Sequence, residues 1–287
     1  MWNPLQNLLT APSSTPSIKT HVLWIIGTAV QNNPSAQASV RPPSPLLINL
    51  NQLMHIQYLS LSPLPTLLSF LHPENASAEL RSKAAYALSG LLKHNAVAVK
   101  ALDDADGWST LRSALEGPSS LPTRLFFISN IGIYVDSNIT VRRKTAFLLN
   151  TLILSTQPSD TPTNENIIHP NSHASMLSDP LSTSTTQLTL QAFRTHGLLE
   201  AVINALVHPT PYGPDGEEVE PDGDFEEKAV RILVTYASAG DGFEVGGKEI
   251  LIRFLDERSR TAGGDEALTE HWGLSAGELG TLRGRLR

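Results

Sequence analysis

The chain reads as an all-α helical solenoid of about four repeats with long irregular insertions. Three observations predict this. Apolar residues recur at helical spacing in segments 17–33, 79–95, 140–155 and 226–238. Those segments resemble one another at fixed offsets. The 287 residues are 40% hydrophobic and 17% charged, enough for an extensive core, while 20 Pro and 19 Gly call for long irregular connections.

Glu79–Lys93 carries the helical pattern in full. Leu80, Ala84, Ala87, Leu88, Leu91 and Leu92 share one broad face, and Arg81, Lys83 and Lys93 lie off it. Small residues there let a neighbouring helix approach closely. Pairing Trp24-Ile25-Ile26-Gly27 with Tyr86-Ala87-Leu88-Ser89 gives an offset of 62. Pairing Arg81-Ser82-Lys83 with Arg142-Arg143-Lys144 gives 61 and sets Tyr86 on Phe147. Lys144 pairs with Lys228 at 84. HEAT and armadillo repeats run at roughly 40–47 residues, so each gap carries an excess.

The first excess is placed in 41–59 and the second in 117–136. Both stretches are Pro-bearing, nearly uncharged and rich in Leu, Ile or Phe, unlike a solvated loop. Removing about 20 residues from each restores a period near 42. We read them as foreign insertions of the kind a translated intron produces; a genuine long loop with its own short helix is the alternative. Residues 156–186 are Ser/Thr/Pro/Asn-rich and read as a disordered linker. Repeats one to three then occupy 1–155, and the fourth repeat with C-terminal helices occupies 187–287. Residues 213–227 hold eight acids and no base, which places most of the formal net charge of −7 in one solvated loop.

No cysteine is present, which removes disulfides, zinc ribbons and cysteine nucleophiles. Mild acidity argues against a general nucleic-acid binder. No apolar run reaches membrane-spanning length, and Trp2-Asn3-Pro4 lacks a basic leader, so a cytoplasmic protein is expected. His169 and His173 stand four apart in the polar linker without an acidic partner, and Asp215, Asp222 and Asp224 do not follow a calcium loop. Gly240-Asp241-Gly242 reads as a helix-terminating turn. No metal, cofactor or enzyme activity is expected.

The polar helix ends carry more information. Asn is unfavourable inside helices because its amide competes for backbone hydrogen bonds. Asn33 and Asn95 either terminate helices or face a partner, and Asn150, with no stop after it, ties a neighbouring loop or faces a partner.

Ile25-Ile26-Gly27-Thr28-Ala29-Val30-Gln31-Asn32-Asn33 resembles the signature helix of the armadillo-type nucleotide exchange factors for heat-shock protein 70 chaperones, the fungal Fes-one and animal Hsp70-binding proteins. Arg81–Ser89 and Val141–Asn150 resemble the next two repeats, and Trp2-Asn3-Pro4-Leu5 is similar to the Trp-x-Pro-Leu opening the first full repeat. Gly197-Leu198-Leu199 and Glu227–Tyr236 resemble the fourth. The resemblance spans roughly two thirds of the chain. It implies a factor without bond chemistry, which wraps a concave face around the chaperone's ATPase domain and favours ADP release as a monomer paired one-to-one. It places the partner-facing basic residue at Lys144, with Arg143 and Lys83 as neighbours and Gln31, Asn33, Asn95 and Asn150 as polar contacts. Two departures stand out. The chain starts where the family normally has preceding segments, so we expect N-terminal truncation, and the insertions fall between helices that should stack. A generic armadillo peptide-binding scaffold and an inactive, truncated or mis-spliced member remain the alternatives. Against the scaffold, Trp2, Trp24, Trp108 and Trp272 do not recur at one repeat position.

Overall fold

The computed structural model describes residues 2–31, 33–37, 58–116, 139–154, 183–212, 218, 220–240 and 242–287. The stretch 117–136, most of 41–59 and of 156–186, Asn32, His169 and His173 lie outside them. Among the described residues the regular structure is helical apart from one isolated antiparallel bridge, Tyr212 to Glu218. Packing divides the chain into two compact units, residues 1–110 with 154–189, and 111–153 with 190–287.

The first unit contains α1 (Trp2–Thr10), α2 (Pro16–Val30), α3 (Pro34–Gln37), a 3-10 turn (Tyr58–Leu61), α4 (Leu64–Ser69), α5 (Ala78–Leu92) and α6 (Ala96–Asp104). Local chemistry sets the boundaries. Thr15 accepts the Ile18 N–H, and Pro16, which has no N–H to lose, takes the first position of α2. Ser77 caps α5 through the Leu80 N–H. His94 (φ 55°) turns the chain, and Asn95 then opens α6 by accepting from Ala98 at 3.1 Å. Asn95 therefore starts a helix rather than ending one. Asn33 likewise accepts from Ala36 at the start of α3.

The main packing in this unit is α2 against α5, where Leu23, Ile26, Val30, Leu88 and Leu91 are fully buried. Glycines allow the close approach. A Cβ on Gly90 would lie 2.9 Å from the Gly27 carbonyl oxygen and 3.0 Å from Val30 Cγ2. Gln37, 1% exposed, fastens the helix ends by donating to the carbonyls of Val30 (3.0 Å) and Gly90 (2.6 Å). Tyr58 is buried against Trp2 with ring centroids 5.0 Å apart, and its hydroxyl donates to Gln6. The core thus claims Tyr58 and Leu59, the last two residues of the stretch 41–59. Thr183, at the end of the polar linker, is also held: its N–H donates to His94 O, and its hydroxyl accepts from Ala96.

The second unit contains α8 (Ile139–Ile153), α10 (Leu198–Val207), α11 (Gly223–Ser238), α12 (Val245–Ala262), α13 (Asp265–His271) and α14 (Ala276–Leu286). Helices α7 (Gly107–Glu116) and α9 (Thr186–Thr195) complete the chain order. Here α8 packs on α11, which groups the third repeat helix with the later helices. Tyr236 meets Phe193 and Phe243, with centroids 5.8 and 5.6 Å apart. Trp272 donates to buried Glu226 at 2.9 Å, and Arg258 pairs with the same carboxylate. Arg142, buried over the Phe225 ring, donates to Leu115 O at 2.9 Å; burial pushes its pKa down to about 10, against the opposing field of Asp222.

The acidic run 213–227 is not wholly a solvated loop. Asp222 is buried and caps α11 through the Phe225 N–H at 2.7 Å, and Glu226 is buried within the helix. The fourth repeat helix therefore starts at Gly223, three residues before the periodicity places it.

Candidate interaction surfaces

Helices α2, α5 and α8 each have 15 residues, and the starts of α2, α5, α8 and α11 fall 62, 61 and 84 residues apart. These are the offsets read from the sequence. Equal positions can therefore be compared. The sixth holds His21, Lys83, Lys144 and Lys228; the ninth holds Trp24, Tyr86, Phe147 and Arg231. Three residues apart, they share one face. The opposite face is spent on the core, so this one is turned outward: Trp24 is 53% exposed and Phe147 55%. Each repeat helix thus presents a basic group one turn before an aromatic ring, except that α2 has His at the sixth position and α11 has Arg at the ninth.

In the first unit the α2 and α5 faces are stitched by neutral and cation–π contacts. The Lys83 ammonium sits over the Trp24 ring, 5.0 Å from its centroid. The Tyr86 ring lies across Gly27, where a Cβ would come within 2.5 Å of it. Its hydroxyl donates to Gln31 Oε1 at 2.7 Å and lies 3.5 Å from Thr28 Oγ1. The Gly27-Thr28…Gln31 part of the signature motif is therefore a cradle for the aromatic ring of the next repeat helix.

In the second unit the faces of α8 and α11 are stitched by charge. Arg143 grips Asp222 with two donors and approaches Asp224 at 3.2 Å, and Lys228 also pairs with Asp224. Burial alone would raise the Asp222 pKa, but the bonds from Arg143 and Phe225, with the charges of Arg143 and Arg142, hold it below the usual carboxylate range. The Asp222 hydrogen bond in turn raises the Arg143 pKa. Arg231 donates to Glu278 at 3.1 Å. The Thr235 hydroxyl donates to Asn150 Oδ1 at 2.7 Å, so Asn150 ties down a helix rather than a loop.

The residues singled out from sequence thus divide. Lys83 rests on Trp24 and Gln31 accepts from Tyr86, so both serve the α2–α5 packing, while on α8 Arg143 and Asn150 lie along one face and Lys144 lies on the face of Phe147. Asn33 and Asn95 sit at helix starts, and Asn95 is buried with its amide donating to Leu91 O. Sequence reasoning passed over Trp24, Tyr86 and Phe147 as surface groups. Their signal was present in the offsets, which set the three rings at one position. Among the described residues no cluster of His, Asp or Glu is arranged to hold a metal, and no helix is long and apolar enough to cross a membrane.

No family model matches the chain. A protein named Hsp70 nucleotide exchange factor FES1 from Mycosarcoma maydis is 32% identical over 265 residues, covering 83% of this chain and 58% of that protein. Its namesake from Cryptococcus neoformans var. neoformans is 30% identical over 239 residues, covering 82% of this chain and 50% of that protein. The chain spans about half the length of these curated relatives. Among solved structures, a designed armadillo repeat protein in complex with the peptide (KR)4 is 13% identical with a TM-score of 0.49, covering 99% of this chain and 80% of that one. An engineered protein is 15% identical with a TM-score of 0.46, covering 99% and 46%.

Proposed function

Since the chain is homologous to the FES1 exchange factors, we propose that it binds the ATPase domain of a cytosolic heat-shock protein 70 and promotes ADP release. The observation that carries this reading is the basic–aromatic pair repeated on α5 and α8, Lys83 with Tyr86 and Lys144 with Phe147, together with the exposed Trp24 at the same position of α2. Aromatic and basic side chains on rigid helices supply anchors with little ordering cost. Docking is one-to-one, and the contacts we assign are Lys83, Trp24 and Tyr86 in the first unit and, separately, Lys144 and Phe147 in the second.

The mechanism needs no bond chemistry. The factor binds the nucleotide-free chaperone better than the ADP-bound one, and by linkage it weakens ADP affinity by the same factor. Titration calorimetry against the two chaperone states tests this. Tighter binding to the nucleotide-free state supports the reading. Equal affinity for both contradicts it, because a ligand without preference shifts no equilibrium. Sequence-selective capture of peptides without such a preference would favour the scaffold alternative.

A further inference from the structure

Gln31 ends α2 with an exposed side chain, and a direct partner contact is its obvious role. The geometry gives it another. Gly27, Thr28 and Gln31 form one patch on α2, and the Tyr86 ring of α5 fills it. Gly27 supplies the room, Thr28 lies beside the hydroxyl, and Gln31 accepts from it at 2.7 Å. One turn earlier on α5, Lys83 caps the Trp24 ring of α2. Each helix thus fixes the other's aromatic side chain. An unanchored Tyr would sample other rotamers and lose entropy on docking.

From this we infer that Tyr86 is a partner-contacting group of this face and that Gln31 is a positioning residue acting through the Tyr86 hydroxyl. This rests on the exchange-factor reading above. It assigns the most specific stretch of the sequence to preorganising a ring, with the amide itself making no contact across the interface.

The test is a four-membered cycle of wild type, Gln31→Ala, Tyr86→Phe and the double variant. Chaperone affinity is read from the concentration at which acceleration of ADP-analogue release saturates, and thermal midpoints are measured alongside. Either single change removes the same hydrogen bond, so each should weaken binding by a similar factor, about 2- to 10-fold. The double variant should be no weaker than either single, and the midpoints should not move. Gln31→Ala costing as much in the Tyr86→Phe background as in wild type overturns the inference, since it makes Gln31 a direct contact. Unchanged affinity in both singles overturns it as well, as does weakening that merely tracks a fall in thermal midpoint. A folded wild type that leaves release unaccelerated sinks the exchange reading itself, an outcome distinct from these.

Discussion

The α2–α5 pair and the α8–α11 pair are built from corresponding helices, yet they are fastened differently. In the first, glycines bring the backbones together, and a phenol and an ammonium reach across onto neutral partners. In the second, a buried aspartate grips an arginine, and charged pairs line the surface. The lesson is that one repeat position can serve either kind of fastening, so position alone does not say which basic groups face a partner. Arg143 and Lys228 are engaged with acids of α11 and its cap, while the Lys83 ammonium rests on the half-exposed ring of Trp24.

The largest expected effect is on binding. Lys144→Ala should weaken chaperone affinity by about 2–5 kcal/mol, the cost of removing one member of a desolvated interface pair. Calorimetry measures the loss, and an unchanged circular dichroism spectrum shows that the helices persist. Next comes Gly90→Ala. Its Cβ meets backbone that cannot yield, so the first unit should lose about 1–3 kcal/mol in urea unfolding. Thr151 holds the corresponding position of α8 and bonds its own helix at Phe147 O, so Thr151→Ala should cost less. Similar losses at both positions would erase the contrast between tight and ordinary packing.

Asp222→Asn probes the charged fastening. Asn keeps an N-cap oxygen but surrenders the charge, so roughly 1–2 kcal/mol should be lost, and only in the second unit. The pH dependence has a definite sign. The Asp222 pKa is depressed in the folded chain, so its contribution is complete above the unfolded value near 4 and disappears as pH falls through the lower folded value. Hydrogen exchange across that acid range should loosen α8 and α11 before α2 and α5. The smallest effect is Trp24→Ala on stability, within about 1 kcal/mol because the ring is half exposed.

Much of the fold was legible because core packing imposes helical spacing on apolar residues. The four repeat helices and their offsets follow from that alone. What escaped were contacts whose partners are remote in the chain. Asp222 sits in a run of eight acids with no local base, which reads as a solvated loop. Its base is Arg143, 79 residues away. Asn150 is similarly satisfied by Thr235, 85 residues on. The aromatic positions were hidden for a different reason. No single residue type recurs at that position, where Trp24, Tyr86 and Phe147 each supply a flat apolar surface.

The measurement that bears most directly on the account is stopped-flow release of a fluorescent ADP analogue from heat-shock protein 70, with wild type and with Trp24→Ala/Phe147→Ala. The account predicts saturable acceleration by wild type, and a double variant that keeps its helicity but needs a much higher concentration to act. Full acceleration by the double variant would contradict it, because the outward rings would then contribute nothing to docking.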